Sequence, residues 1–212
     1  MENKAAMTWL DETFANPKPD PRLRWTNSPP DWTSGPGGLV VRTAAATDFW
    51  QGTHYGFRVD NGHLLAAEVG GDFVIETLVR TAPVHQYDQA GLMIRLSERC
   101  WLKTSVEFEP GEPSRLGVVV TNAGWSDWST RDIDPEAGRE VAFRVTRRGA
   151  DYTVEARLGA EARWSQIRLA RLHEDDGAGP VRAGLYACSP KGAGLAATFG
   201  YLRIERAAAG LS

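Results

Sequence analysis

Two glutamates in the segment CWLKTSVEFE (residues 100–109) have a spacing that could support acid–base chemistry. Glu107 and Glu109 are two positions apart, so in a β-strand both side chains would project from the same face. Twice the rise per residue of a strand places them about 6.5–7 Å apart. Glycosidases use two carboxyl groups around the bond they cleave, one as acid and one as nucleophile or base. A solvated pair of glutamates is the alternative, and Glu76 on an earlier segment could join either arrangement.

The alternation of residues 100–109 also separates two faces of a strand. One face is suited to the core: Cys100, Leu102, Thr104, Val106 and Phe108. The other face mixes aromatic, polar and charged residues: Trp101, Lys103, Ser105, Glu107 and Glu109. Because a tryptophan is costly to leave in water but suits a surface on which a ligand stacks, the mixed face is either the floor of a binding groove or a plain solvated face.

Two further polar residues lie in segments that could form part of a site. His54, in TDFWQGTHYGF (47–57), could act as an acid–base group, as a metal ligand or as a hydrogen-bonded structural residue. Asp88, in YDQAGLMIR (87–95), could cap a turn or accept a hydrogen bond from a ligand hydroxyl. The four histidines, at positions 54, 63, 85 and 173, show no metal-ligand spacing, so we expect no metal site and no cofactor.

A third candidate region is GWSDWST (124–130), where Trp125 and Trp128 stand in a polar run that is typical of a loop or a strand end. Both rings could cap the end of the core. Alternatively, a ring could stack on the apolar face of a sugar while Asp127 accepts hydrogen bonds from its hydroxyls. Because three positions separate the two rings, we expect one to pack inward and the other to face a groove.

Composition limits the classes of function that this chain can have. The net charge of −3 over 212 residues gives no basic field for nucleic acid or for an anionic membrane. No apolar run is long enough to cross a membrane, and the N-terminus lacks the apolar region of a signal peptide. We therefore expect a cytoplasmic protein in which Cys100 and Cys188 are reduced, buried thiols.

The elements that would position these residues are short β-strands. From about residue 37 the sequence shows ten or more alternating or apolar runs, among them HLLAAEV (63–69), EVAFRVTRR (140–148) and DYTVEARL (151–158). Turn signals recur about every 8–12 residues, which indicates an all-β sandwich or barrel. The segment 164–172 remains ambiguous. Residues 1–36 carry six of the 12 prolines and are expected to form extended coil or short edge strands. We predict an N-terminal extension (1–21) and a single domain (22–207).

Several segments, taken in order, resemble one known family: TDFWQGTHYGF, GDFVIETLVRT, YDQAGLMIRLSERCWLKTSVEFE, VVVTNAGWSDWS and YACSPKGAG. This is the uncharacterised-domain family that includes the regulation-of-enolase proteins, and the resemblance spans roughly residues 22–205. It implies a concanavalin A-like jelly roll of two antiparallel sheets, one of them concave, as in lectins, laminarinase-type glucanases and laminin-G-like modules. One branch of the family is linked to enolase and sugar metabolism.

The resemblance also implies a set of ligand-binding positions that could converge on the concave sheet. These are Trp50, His54, Tyr55, Asp88, Gln89, Trp101, Lys103, Glu107, Trp125, Asp127, Trp128 and Ser189. Laminarinase-type glucanases carry a Glu-x-Asp-x-x-Glu strand motif or a near variant. Here Glu107 and Glu109 are followed by Pro110 and Gly111, and the middle acid is absent, which argues against catalysis of that type.

Three functions are compatible with these residues, because a fold alone does not give a function. The first is a carbohydrate- or polyol-binding module with its site on the concave sheet. The second is a glycan-active enzyme that uses Glu107 with His54 or Asp88. The third is a regulator that binds a metabolic enzyme as its protein partner. Neither nucleic acid nor a membrane is expected as a partner.

Overall fold

The computed structural model describes residues 8–159 and 163–206, which form a sandwich of two antiparallel β-sheets. The expected all-β fold is confirmed, since the described residues contain 17 strands and a single 3-10 turn, Ala137–Arg139. No helix in this part of the chain is long and apolar enough to cross a membrane.

The first sheet has seven strands. Their spatial order is β12 (Trp125–Ile133), β11 (Ser114–Asn122), β10 (Cys100–Glu107), β9 (Gln89–Ser97), β16 (Val181–Cys188), β7 (His63–Val69) and β2 (Arg24–Thr26). All six pairings are antiparallel, so residues that stand opposite one another form rows across the sheet. One such row brings Lys103 of β10 beside Val119 of β11, which in turn stands opposite Trp128 of β12.

The second sheet has eight strands. Their order is β15 (Ser165–Arg171), β14 (Asp151–Leu158), β13 (Glu140–Arg148), β8 (Phe73–Ala82), β17 (Ala196–Arg206), β4 (Gly38–Arg42) and β3 (Asp31–Gly35), while β1 (Thr8–Glu12) also pairs with β17. The long strand β17 is shared, since its first half pairs with β4 and its second half with β1. The ambiguous segment 164–172 is thus an edge strand.

The core lies between the sheets and is built by alternation along each strand. Strand β10 presents Cys100, Leu102, Thr104 and Val106 to it, as its sequence pattern predicts. The eight-stranded sheet contributes similar apolar residues to the core from its inner face, such as Val141, Phe143 and Val145 of β13. Cys100 and Cys188 are both free thiols, but they belong to different apolar clusters on the two faces of the first sheet.

The other side of the seven-stranded sheet, which we call the outer face, is also covered. A separate two-stranded hairpin, β5 (Phe49–Gln51) and β6 (Arg58–Asp60), lies on it. We call residues 48–62 the covering hairpin. Phe49 and Trp50 of the hairpin form a second apolar cluster with Trp101, Met93 and other outer-face residues. The mixed face of β10 is therefore largely buried, and the expectation of a plain solvated face was wrong.

Two further sequence expectations need correction. Of the two interpretations of GWSDWST, a loop was wrong and a strand end is confirmed, since the run begins edge strand β12; it lacks an apolar pattern because most residues of this strand are exposed or only partly buried. The described part of the predicted N-terminal extension, residues 8–21, contributes to the sandwich. Strand β1 pairs with β17, and Leu10 and Phe14 are fully buried in the core.

Candidate functional site

A cleft of about 320 Å³ opens between the covering hairpin and the outer face of the seven-stranded sheet. Strands β9 and β10 contribute its floor, β12 one side, and the hairpin another. The lining residues are Ala46, Asp48, Trp50, Tyr55, Phe57, Val59, Tyr87, Gln89, Lys103, Glu107, Trp128, Pro190 and Lys191. The cleft thus combines aromatic walls with a floor of charged and amide side chains, and its volume is that of a small-molecule site.

A buried ion pair fixes one end of the floor. Lys103 is 2% exposed, and its Nζ donates to Asp48 Oδ1 over 2.9 Å. The same Asp48 oxygen accepts the amide N–H of Phe49 at 2.7 Å, which locks the carboxylate in place. Burial alone would lower the pKa of Lys103, but Asp48 and neighbouring groups raise it overall, so the amine stays protonated.

Glu107 is the unusual group of the floor. It is 8% exposed, and among the described residues its carboxyl group accepts no hydrogen bond. Burial raises its pKa to about 7, because desolvation and the charges of Asp48 and Glu109 outweigh the attraction of Lys103 and Arg115. Near neutral pH this carboxyl group can therefore be either an acid that donates a hydrogen bond or a carboxylate that accepts one.

Gln89 stands opposite Glu107 across the β9–β10 pair and is held at both ends of its amide. Its Nε2 donates to Tyr87 O at 3.0 Å, and its Oε1 accepts the hydroxyl of Tyr186 at 3.1 Å. An amide has four hydrogen-bonding positions, so one N–H and one lone pair of Gln89 remain for another molecule.

The walls are aromatic, and their rings pack against one another edge to face or stacked. Trp50 lies at the centre, with its ring centroid 5.5 Å from that of Tyr55 and 6.5 Å from that of Trp128. Phe57 stacks on Tyr55 at 5.7 Å. Trp50 is oriented further by its Nε1, which donates to Thr53 O at 3.0 Å. These rings hold each other in place, so the walls are formed before any ligand arrives.

The covering hairpin is tied to the sheet at several points. Arg95 of β9 makes a bidentate pair with Asp60 of β6, at 2.6 and 2.7 Å. The amide N–H of Gln51 donates to Ser126 Oγ of β12 at 2.9 Å. Charge-assisted bidentate pairs are among the stronger hydrogen bonds in proteins, so the hairpin is a fixed wall of the cleft.

The residues that the sequence singled out fall into three groups. Six of them line this cleft: Trp50, Tyr55, Gln89, Lys103, Glu107 and Trp128. His54, Trp125 and Asp127 lie in an adjoining cleft that also contacts Trp50, Tyr55 and Trp128. Asp88, Trp101 and Ser189 line neither cleft.

The last group has structural contacts that explain its position. Asp88 Oδ2 accepts the amide N–H groups of Val84 and His85, so the side chain caps a turn on the core side of β9. Trp101 is fully buried beneath the covering hairpin. Ser189 bonds the hydroxyl of Thr43 at 2.6 Å and is likewise inaccessible.

The expected partnerships of Glu107 are not present in the structure. Strand β10 ends at Glu107, so the alternation stops there and Glu109 is directed elsewhere. Glu109 accepts Gln86 Nε2 at 2.8 Å and pairs with Arg115 at 3.4 Å. His54 is exposed at the tip of the hairpin. Neither it nor Asp88 lines the cleft that holds Glu107.

Trp125 also departs from the expectation that one ring of the pair packs inward. Trp128 is partly buried and faces the cleft, but Trp125 is 59% exposed. Its ring lies under the guanidinium of Arg58, 5.0 Å from the centroid. The reason is its position at the first residue of β12, beyond the edge of the core.

Sequence reasoning left several lining residues out of the site. Asp48 could have been found from the sequence. It lies two positions before Trp50 in the same motif, so both side chains project from the same side of an extended segment. Tyr87 and Lys191 come from loops, and Lys191 lies over the Tyr87 ring at 5.6 Å. No periodicity marks such loop residues, so only the fold brings them to the cleft.

Comparison with known proteins identifies relatives of the whole domain. Residues 25–207 match the model of a family described as "Protein of unknown function (DUF1349)". The Saccharomyces cerevisiae protein named Regulation of enolase protein 1 is 35% identical over 175 residues, which cover 82% of this chain and 85% of that protein.

Solved structures give the same family and the wider fold. A functionally unknown protein from Saccharomyces cerevisiae matches with a TM-score of 0.79 and 32% identity, over 90% of this chain and 98% of that one. A variant of a GH43 protein from Bacillus licheniformis has a TM-score of 0.73 at 14% identity, over 93% of this chain and 39% of that one. A xylan β-1,4-xylosidase from Bacillus halodurans has a TM-score of 0.72 at 17% identity, over 92% of this chain and 39% of its own.

The two Bacillus structures show the fold alone, and the expected concanavalin A-like jelly roll is confirmed. With its match to the family model and its yeast relative, the chain belongs to the DUF1349 family that includes Regulation of enolase protein 1.

Proposed function

We propose that this protein binds a carbohydrate or another small polyol in the cleft under the covering hairpin. The observation that carries the proposal is a buried floor with unused hydrogen-bonding capacity beneath aromatic walls. Buried polar groups in proteins are normally paired. Here Lys103 makes one hydrogen bond among the described residues, Gln89 makes two, and Glu107 makes none.

The chemistry of the cleft matches that of a sugar. A sugar ring has an apolar face and an edge of hydroxyl groups, each of which both donates and accepts. Trp50 and Trp128 supply flat apolar surfaces, while Lys103 donates and Gln89 can do both. Glu107 suits a hydroxyl partner in either of its protonation states.

The relatives give this proposal a setting without deciding it. One relative is named for the regulation of enolase, and we propose sugar metabolism as the setting of this protein. The solved structures that share only the fold include a xylan β-1,4-xylosidase, of which 39% is matched. A cytoplasmic sensor of a sugar or polyol would fit this setting.

The test is a titration of the purified protein by calorimetry with glucose, galactose, xylose, arabinose, glycerol and sorbitol. Lys103→Met and Glu107→Gln should each weaken a positive response about 10- to 100-fold, since a lost hydrogen bond to a charged group is worth about 1.5–3 kcal/mol. Glu109→Gln is the matched control, because it makes the same change two residues away and outside the cleft. Equal loss in all three variants, or no response in wild type, would refute the proposal.

A second candidate is a glycan-active enzyme, and the raised pKa of Glu107 is the observation that favours it. General acids in glycosidases have carboxyl groups whose pKa burial has raised. Neither proposed partner, His54 or Asp88, lines the cleft, which leaves Asp48 as the second carboxyl group. Turnover of nitrophenyl glycosides that disappears in Glu107→Gln and persists in Glu109→Gln would establish catalysis. Binding without turnover would leave the protein a binding module.

The third candidate, a protein partner such as a metabolic enzyme, draws support from the name of the yeast relative alone. The described residues include five exposed large apolar side chains. Tyr55, Phe57 and Trp125 surround the clefts, while Val84 lies in the loop after β8 and Leu169 on β15. An apolar docking patch away from the clefts is therefore missing from the described surface. Capture of enolase by wild type and equally by Glu107→Gln would nevertheless favour this candidate.

A further inference from the structure

A second cleft adjoins the first on the outer face of the sheet. It has a volume of about 540 Å³ and is lined by Trp50, Thr53, His54, Tyr55, Trp125, Ser126, Asp127 and Trp128. Three of these residues, Trp50, Tyr55 and Trp128, also line the first cleft. The two clefts therefore adjoin along an aromatic ridge, and a molecule that extends from the first across this ridge enters the second.

Trp125 forms an aromatic platform in the second cleft. It is 59% exposed, although a tryptophan is costly to leave in water. The Arg58 guanidinium, 5.0 Å from the ring centroid, covers one face and leaves the other available. Arg58 is itself fixed, since its Nη1 donates to Gln51 Oε1 at 3.1 Å and to Gly124 O at 2.5 Å.

The backbone beside this platform is adapted to it. Gly52 has a φ of +70°, and a Cβ there would lie 3.0 Å from the Trp125 ring and 2.9 Å from an Arg58 nitrogen. Only glycine allows both groups to approach the hairpin so closely. The exposed ring is therefore held in a defined position by the covering hairpin.

The two clefts differ in chemistry in a way that suggests two subsites. The first has a buried floor of Lys103, Glu107 and Gln89 that can bond several hydroxyl groups. The second is open, and its charged group Asp127 already pairs with Arg168 at 3.1 Å. An open surface that presents four aromatic rings, those of Trp50, Tyr55, Trp125 and Trp128, suits the apolar face of a sugar ring.

We propose that the ligand is an oligosaccharide of at least two units, with its terminal unit in the first cleft and the next unit on Trp125. This inference rests on the proposed function, because it extends the same carbohydrate site. The shared ridge of Trp50, Tyr55 and Trp128 would contact both units at their junction. Arg58 acts as a positioning residue that holds the Trp125 ring in place.

Chain length is the variable that tests the inference. Calorimetry would compare xylose, xylobiose and xylotriose, and glucose, cellobiose and cellotriose, on the intact protein. Covering about 50 Å² of one indole face corresponds to about tenfold in affinity. We expect a disaccharide to bind about tenfold more tightly than its monosaccharide, and Trp125→Ala to remove this gain while leaving monosaccharide affinity unchanged.

Trp9→Ala is the matched control, because Trp9 also has an arginine over its ring, 4.6 Å away, but lies on the eight-stranded sheet. It should keep the full gain from the second unit. If monosaccharides bind and a second unit adds nothing, or if Trp125→Ala leaves the gain intact, the second subsite is refuted and the first cleft remains a sugar site. If no saccharide binds, or binding is insensitive to Lys103→Met, both proposals fall together.

Discussion

Two buried ionic clusters lie on different sheets of this sandwich, and they differ in how completely their polar groups are paired. Arg147 of β13 and Asp175 form the first, with side chains 0% and 1% exposed. Lys103 of β10 and Asp48 form the second, at 2% and 14%. Burial is therefore similar for the two cations, and the difference lies in their partners.

The Arg147 cluster is closed. Its guanidinium bonds both carboxylate oxygens of Asp175, the carbonyl of Gly71 at 2.9 Å and that of Gly179 at 3.1 Å. Asp175 also accepts the Tyr152 hydroxyl and the amide N–H of Gly177. Burial would raise the pKa of Asp175, but these hydrogen bonds lower it overall. A cluster with so many internal partners stabilises the loop before β16 and has little capacity left for a ligand.

The Lys103 cluster is open on the side of the cleft. Lys103 is a buried cation, and Glu107 is a buried carboxyl group whose pKa lies near neutrality. The protein uses few of the hydrogen-bonding positions of either side chain. Such groups are unfavourable for folding unless something else is gained. Burial alone therefore does not mark a binding site, whereas buried polar groups that the protein leaves without partners do.

Replacing the cation of each cluster by methionine should give the largest change in stability and the clearest difference between the clusters. Arg147→Met leaves the Asp175 carboxylate buried, so we expect the free energy of unfolding to fall by about 3–5 kcal/mol. For a chain of this size that lowers the Tm by roughly 10 °C. Lys103→Met should destabilise far less, because Asp48 keeps the Phe49 amide as a partner and borders the cleft.

Urea and thermal unfolding of both variants would measure this difference, beside ligand titrations of the folded proteins. Lys103→Met should fold and bind the ligand about 10- to 100-fold more weakly than wild type. Equal destabilisation by the two substitutions would show that Lys103, like Arg147, serves the stability of the fold rather than ligand binding.

Glu107 gives a prediction that depends on pH. Its pKa rises from an ordinary 4.5 to about 7 in the folded protein, so between these values the folded state holds a proton that the unfolded state has lost. The free energy of unfolding therefore decreases as pH rises through this range, by on the order of 3 kcal/mol from this group. Below pH 4.5 and above pH 7 the contribution is constant.

Glu107→Gln cannot titrate and should abolish this component. Urea unfolding at pH 5 and pH 8 would measure the difference between wild type and variant, in which other titrations cancel. We expect Glu107→Gln to be relatively more stable at pH 8 than at pH 5. A difference that stays constant with pH would mean that Glu107 is ionised throughout.

The same contrast explains which features the sequence could reveal. Alternation and turn signals predict strands His63–Val69, Glu140–Arg148 and Asp151–Leu158 with the bounds that the structure has, because these patterns are local. Lys103 and Glu107 were also detectable, as polar residues on the mixed face of a core strand. Their environment was not, because it depends on a hairpin more than 40 positions earlier in the chain. Strand β12 was missed since an edge strand needs no apolar alternation.

A glycine on β11 tests how the cleft wall is built. At Gly117 a Cβ would lie 3.0 Å from Trp128 Nε1 and 2.9 Å from Ser129 O, so the indole can lie across β11 only because the side chain is absent. Gly117→Ala should reduce the free energy of unfolding by about 1–2 kcal/mol through overpacking and should weaken ligand binding as Trp128 shifts.

Gly70→Ala is its control, since a Cβ at Gly70 has no atom within 4 Å. Thermal unfolding, Trp fluorescence and titration would compare the two variants. If Gly117→Ala retains wild-type stability and affinity, the contact between β11 and Trp128 does not shape the wall.

The smallest effects should come from removing one tyrosine hydroxyl in each cluster. Tyr152 donates to Asp175 in the closed cluster, and Tyr186 donates to Gln89 at 3.1 Å in the open one. Tyr152→Phe should lower the free energy of unfolding by about 1.5 kcal/mol, the low end for a bond to a charged group, because Asp175 keeps Arg147 and Gly177 as partners, and it should leave ligand affinity unchanged. Tyr186→Phe should change stability less, because Gln89 keeps its bond to Tyr87 O and can turn toward the cleft. Freed from one restraint, Gln89 would bind a sugar hydroxyl several-fold less tightly, as titration can measure. The opposite outcome, in which Tyr186→Phe affects only stability, would assign Gln89 to the scaffold and leave Lys103 and Glu107 as the polar floor.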